Sequence, residues 1–194
     1  ALHPVPSLSR DDPNYDEFGG YWRGSVWAPT NYMIIRGLKD LRRMGAAREI
    51  AVKHIDAMCR VYQNENYATI WECYSPDHYL PATRDEGILV RPDFVGWSGI
   101  GPIAMLIEAV FGITVDAPKQ KIRWEIATSG RHGVENLKIG NAVVNLICEG
   151  RVTGFKNTKV KIETTEHLDV ELTLLGREEI HCAHLIPGVH NIDL

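Results

Sequence analysis

Glu72 stands among aromatic neighbours in Ile70-Trp71-Glu72-Cys73-Tyr74-Ser75-Pro76, the one acidic residue of that cluster. A carboxylate partly desolvated by aromatic surface is useful as a general base or general acid. Composition alone favours a blander reading, a surface glutamate in an aromatic-rich loop. Asp77, Asp85 and Glu86 follow in the same long loop, either as second carboxylates, Glu86 first among them, or as solvated charges.

Two further clusters have a similar character. Tyr21-Trp22-Arg23-Gly24-Ser25-Val26-Trp27 puts a guanidinium among aromatic rings, with a glycine that would let backbone approach a ligand closely. Phe94-Val95-Gly96-Trp97-Ser98 runs into a helix start, with Ser98 a plausible N-cap. Four of the chain's five tryptophans lie in these three clusters. Flat rings offered from several loops, with charged groups between them, suit a sugar: its C–H faces stack on aromatics and its hydroxyls pair with charges. The candidate contacts are Tyr21, Trp22, Arg23, Gly24, Trp27, Trp71, Tyr74, Phe94 and Trp97. The competing reading makes the same rings anchors of the core.

Other chemistry is poorly represented. His181-Cys182-Ala183-His184 would need both imidazoles on one face, and strand alternation sends them to opposite faces. No metal site is expected there. Cys59, Cys73, Cys148 and Cys182 form no CxxC pair and read as free, mostly buried thiols. Gly19-Gly20 and Gly99-Ile100-Gly101 are too short to suggest a nucleotide, and no cofactor is expected.

The elements that must position these loops fall into two halves. Up to about residue 116 the apolar period is helical. Pro29 opens a helix whose expected face is Ile34, Leu38, Leu41 and Met44, with Gly45 as its stop. A second helix follows with Ile50, Ile55, Met58 and Tyr62 on one face, so the pair should form an antiparallel hairpin. A third, from about Gly99 to Phe111, is apolar nearly all round and is expected to be buried on every side. From Lys121 the period becomes two. Ile122, Trp124 and Ile126, then Val160 and Ile162, then Val170, Leu172 and Leu174 alternate with polar residues. The expected class is α+β. A helical domain over 1–116 carries the aromatic clusters, and an antiparallel β-sandwich or sheet spans 117–194, with the boundary at Ala117-Pro118.

A chain of 194 residues with 44% hydrophobic and 24% charged residues has an ordinary globular composition. Its net charge of −4 argues against nucleic acid or a membrane surface as partner. No apolar run approaches the ~18 residues of a membrane span. The sequence starts at Ala1 with neither an initiator Met nor a signal peptide, which suits a processed or truncated product and leaves periplasm and cytoplasm both open.

In order and spacing, the three clusters resemble the inverting glycoside hydrolases built as a six-hairpin α/α toroid: the processing α-glucosidase I type, trehalases and mannosylglycerate hydrolase-like enzymes. Gly20-Tyr21-Trp22-Arg23-Gly24-Ser25-Val26-Trp27-Ala28-Pro29-Thr30-Asn31-Tyr32 is similar to that family's YWRG-x-VW-x-P-x-NY stretch. Glu72-Cys73-Tyr74-Ser75-Pro76 is similar to its E-x-Y-x-P loop, and Phe94 to Ser98 to its F-x-GW-[ST] stretch. The resemblance covers about residues 15 to 115 and implies a partial toroid. It also implies Glu72 as general base, a sugar subsite containing Trp22, Arg23 and Trp27, and Trp97 and Phe94 walling the pocket.

The family's general acid is an aspartate in an upstream, tryptophan-rich loop, and no segment here matches it. The expectation is therefore a C-terminal portion of a glycosidase acting on α-linked glucosides or related oligosaccharides and disaccharides. The alternative is a non-catalytic carbohydrate-binding or assembly module that keeps the aromatic platform. A toroid sector would expose apolar helix faces, so self-association or association with the missing N-terminal part is also expected.

Overall fold

Two kinds of periodicity produce two kinds of structure. In the computed structural model, which describes residues 2–150 and 158–194, the chain is α+β. It divides into two units, Ala1–Ala109 and Val110–Leu194, whereas the sequence places the change near residue 116.

In the first unit, helix α1 (Ala28–Asp40) begins at Trp27 with Pro29 in its first turn. There the missing N–H costs nothing and the fixed φ suits a helix. Three residues, Leu41 to Arg43, lead to helix α2 (Met44–Tyr62), and Arg42 takes a positive φ of 57° in this tight connection. The hairpin is as expected, but its buried faces are not. α1 buries Ala28, Asn31 and Ile35, and α2 buries Ala47, Ala51, His54, Ala57, Met58 and Val61. Ile34, Leu41 and Tyr62 are exposed instead. Three of the six buried positions of α2 are alanine, small side chains that permit a short interaxial distance. Gly45 lies inside the first turn of α2 and does not stop α1.

The third helix also differs from expectation. A short, kinked helix α3 (Val95–Ser98) is followed by a π-helix, Gly101–Val110, in which Met105 N donates to Ile100 O at 3.0 Å. Only Gly101, Met105 and Ala109 are buried, one stripe at four-residue steps, while Ile103 is 61% exposed. Burial on every side does not occur. Glu108, the polar break in this run, ties the helix to α1. It accepts from Tyr32 Oη and Arg36 Nη1 at 3.0 Å, and its carbonyl accepts from Lys39 Nζ at 2.7 Å. A Cβ on Gly101 would stand 2.7 Å from Met58 Sδ, so glycine lets this helix start against α2. The unit's core gathers Trp27, Met58, Val61, Trp71, Cys73, Tyr74, Ala82 and Val90.

Among the described residues, the second unit has two four-stranded sheets, ordered β1-β2-β6-β7 and β3-β4-β5-β8. Their strands are β1 Ile113–Asp116, β2 Lys121–Ile126, β3 His132–Ile139, β4 Ala142–Cys148, β5 Lys159–Thr164, β6 Leu168–Leu174, β7 His181–Leu185 and β8 Gly188–Asp193. The alternation read from β2, β5 and β6 is the observed one, with Ile122, Trp124, Ile126, Val160, Ile162, Val170, Leu172 and Leu174 all buried. The rings of Trp124 on β2 and His132 on β3 meet edge-on at 5.8 Å across the two sheets. One pairing departs from a wholly antiparallel domain: β2 and β6 are parallel. After β2 the chain crosses to the other sheet, builds β3 to β5, and returns as β6 in the same direction. Parallel neighbours need a crossover of about a dozen residues or more, which this excursion supplies.

Candidate active site

The turn that carries the first aromatic cluster is wound by consecutive positive φ angles: Gly19 at 112°, Gly20 at 44° and Tyr21 at 60°. Such a conformation is cheap for glycine and costly for tyrosine. Tyr21 is held in it because its N–H donates to Thr83 O at 2.8 Å and its phenol donates to Glu72 Oε1 at 3.1 Å. A Cβ at Gly19 would meet Ser25 Oγ at 2.5 Å and Ala82 Cβ at 2.8 Å. Gly24 serves a close approach too, but to its own chain: a Cβ there would lie 2.5 Å from Asp16 O. That differs from the ligand contact expected at this position.

Glu72 is 4% exposed. Its segment is fixed on both sides by single β-bridges, Val26 with Tyr74 and Tyr74 with Pro81. Residues 82–90 turn back as a small hairpin, with Val90 N donating to Ala82 O at 3.0 Å and a Thr83–Leu89 bridge. This hairpin carries two groups to the other carboxylate oxygen. Arg84 Nη2 lies 3.4 Å from Glu72 Oε2, and the Arg91 amide donates to the same oxygen at 3.5 Å. The Arg84 guanidinium also sits 5.9 Å from the Tyr21 ring centre. Main-chain bonds complete the support: Glu72 N donates to Arg91 O at 3.0 Å, and Glu72 O accepts from Trp97 Nε1 at 3.2 Å and Ser98 Oγ at 3.0 Å. Ser98 lies at the end of α3, and its hydroxyl is given to the Glu72 backbone.

Around this carboxylate the aromatic rings form one assembly. Trp22 and Trp27 stack at 4.4 Å with 14° between planes, Tyr21 meets Trp27 edge-on at 4.9 Å, and Trp27 meets Trp97 at 6.0 Å. Phe94 packs on Trp97 at 5.1 Å. Trp27 is buried beneath, whereas Trp22 is 56% and Trp97 42% exposed, so these two present open ring surface. A buried carboxylate bonded to Tyr21, one ring of an assembly that leaves two indoles exposed, is an arrangement that can bind an apolar ring face and accept a proton.

Tyr21, Trp22, Trp27, Phe94, Trp97 and Glu72 are thus brought together. Arg23 turns away and pairs with Asp16 at 3.4 Å and Asp85 at 3.5 Å. Trp71 and Tyr74 are core residues: Trp71 is 6% exposed with its indole N–H on Tyr67 O, and the Tyr74 hydroxyl accepts from the Trp71 amide. Buried so, neither offers a ring face to a ligand. Glu86 belongs to the one-turn 3-10 helix Asp85–Gly87, and its side chain lies outside the described residues. Sequence reasoning missed Arg84, because that loop was read for its acids. The requirement that a buried carboxylate be met by a cation was the signal that could have found it.

Burial, with the hydrogen bond to Glu72, pushes the Tyr21 phenol above its ordinary value and keeps it a donor. Burial pushes the Cys73 thiol up to about 12, so it is no nucleophile at neutral pH. Cys73 and Cys148 are buried, but Cys59 and Cys182 are exposed, against the expectation of mostly buried thiols. On β7, His184 pairs through Nδ1 with Asp169 Oδ1 at 2.6 Å.

Residues 1–84 match the family described as the mannosylglycerate hydrolase MGH1-like glycoside hydrolase domain. Over 181 residues the chain is 26% identical to an uncharacterized protein of Borreliella burgdorferi, an alignment covering 91% of this chain and 38% of that protein. No solved structure matches. The family match supports a glycoside hydrolase domain in the part of the chain that holds Tyr21, Trp22, Trp27 and Glu72.

Proposed function

We propose that this chain is part of a longer glycoside hydrolase that cleaves α-linked glucosides, mannosides or related oligosaccharides with inversion, and that Glu72 is its general base. The observation that carries the reading is the Glu72 carboxylate: buried, held at both oxygens, and joined through Tyr21 to the ring assembly in which Trp22 and Trp97 are exposed. In an inverting reaction two carboxyl groups stand roughly 6.5–9.5 Å apart on opposite faces of the sugar. Glu72 takes a proton from water, whose oxygen bonds to the anomeric carbon as the glycosidic C–O bond breaks. The departing oxygen receives its proton from a carboxylic acid supplied outside this chain. The relative's greater length is consistent with such a supply.

A sector of an α/α toroid is the architecture that fits this reading. Met33, Ile34, Leu41, Val52, Tyr62 and Ile103 are exposed apolar residues of the helical unit, and further hairpins would cover such surface.

The test uses the protein at its full natural length with Glu72→Gln, on a panel of α-glucosides, α-mannosides, trehalose and the mannosylglycerate named in the matched family's description. Loss of a general base lowers kcat by about 10²–10⁴-fold, while sugar affinity persists. Proton NMR should show the β-anomer as the first product of an α-glycoside. A variant as active as the parent would overturn the assignment. Sugar binding without turnover in the parent itself would favour the non-catalytic module.

A further inference from the structure

Arg84 is the one cation within ion-pair distance of Glu72 among the described residues. A carboxylate that is 4% exposed has lost most of its water, and an uncompensated buried charge is costly. The two oxygens are not treated alike. Oε2 accepts from both Arg84 Nη2 and the Arg91 amide, at 3.4 and 3.5 Å, whereas Oε1 accepts from the Tyr21 phenol, at 3.1 Å. Arg84 and Arg91 reach Oε2 from the two arms of the hairpin closed by the Thr83–Leu89 bridge. The same arm holds Tyr21 through Thr83 O. One short hairpin therefore sets the plane of the carboxylate and the place of the phenol beside it.

We propose that Arg84 is a positioning residue: with the Arg91 amide it occupies Oε2, so that Oε1, beside the Tyr21 hydroxyl, is the oxygen that takes the proton from water. The inference rests on Glu72 being the general base. In the step, the water O–H bond breaks, its proton goes to Oε1, and its oxygen forms the bond to the anomeric carbon. Arg84 exchanges no proton. It is 40% exposed along its side chain, so small solutes reach it.

The experiment uses the full-length protein with α-mannosyl and α-glucosyl fluoride, whose leaving group needs little help from a general acid. Arg84→Ala is expected to lower kcat by about 10- to 100-fold, the cost of misplacing a reacting group by around an ångström, with KM changed less than about threefold. Millimolar guanidinium should restore much of that kcat, and methylammonium or sodium should not. Arg84→Lys, which keeps the charge without the fork, should fall between.

Combining Glu72→Gln with Arg84→Ala should cost no more than Glu72→Gln alone, because Arg84 acts through that carboxylate. Should Arg84→Ala fail to fold, Arg84→Lys and Arg84→Gln carry the same comparison. An unchanged kcat, a loss confined to KM, or additive losses in the double variant overturn the proposal. Full activity of Glu72→Gln alone would instead overturn the reading beneath it.

Discussion

Ser98 Oγ lies 3.0 Å from the main-chain carbonyl oxygen of Glu72 and donates to it. Trp97 Nε1 donates to the same oxygen at 3.2 Å, so two consecutive residues of α3 hold the backbone that carries the carboxylate. Ser98→Ala is expected to cost about 1 kcal/mol, the net worth of one hydrogen bond whose acceptor keeps another donor. Urea unfolding monitored by tryptophan fluorescence measures it. A change below the error of the midpoint would show that Trp97 alone suffices.

Trp22 and Trp71 should respond in opposite ways. Trp71 is 6% exposed in the core, so Trp71→Ala is expected to destabilise by about 3–5 kcal/mol. Trp22 is 56% exposed and rests on Trp27, so its truncation costs stability only on the scale of one ring pair, about 0.5–1.5 kcal/mol. Trp22→Ala should instead weaken sugar binding about tenfold, the affinity equivalent of ~1.4 kcal/mol. Calorimetric titration with mannose, glucose and trehalose reads this directly. Equal affinity in the variant would remove Trp22 from the site.

His54 is expected to make the helical unit acid-sensitive. Its two ring nitrogens are buried without hydrogen-bond partners among the described residues, and burial, reinforced by the nearby His3, pushes its pKa from 6.5 down to about 3. Burial lowers His3 as well. The unfolded chain therefore binds the His54 proton near 6.5, whereas the folded chain resists until about 3. Stability is full above that upper value and falls by about 1.4 kcal/mol per pH unit below it, until the lower one is reached. His54→Leu is expected to flatten this slope in unfolding measured between the two values. An unchanged slope would mean that other groups govern the acid response.

Gly19 is expected to tolerate no side chain. Its φ is 112°, and a Cβ would stand 2.5 Å from Ser25 Oγ and 2.8 Å from Ala82 Cβ. Gly19→Ala should cost about 1–3 kcal/mol from the backbone alone, and it should loosen the turn that aims the Tyr21 phenol. Thermal unfolding tests the first effect, and kcat for the glycosyl fluorides tests the second.

What could be read along the chain was local in origin. Alternation in Lys121–Ile126, Lys159–Thr164 and Leu168–Leu174 is a period-two pattern contained in each strand, so the buried set was legible without knowing any partner. The start of α1 was legible because Pro29 acts on its own turn. The aromatic clusters announced themselves by residue type, and folding brings Trp22, Trp27, Trp97 and Tyr21 into one assembly with Glu72.

The rest depends on encounters between segments. Trp71 and Trp22 look alike in sequence, yet the bridges at Tyr74 turn one into the core and leave the other open. α1 buries Ala28, Asn31 and Ile35 while the equally apolar Ile34 and Leu41 stay exposed, so the tertiary packing, not apolar count, decides its inner face. The parallel β2–β6 pair follows from a crossover through the second sheet, which no strand pattern encodes. Arg84 stands twelve residues beyond Glu72, and only the hairpin closing at Thr83 and Leu89 returns its guanidinium to the carboxylate. Periodicity specifies which residues an element hides, whereas long-range contacts decide what meets them there.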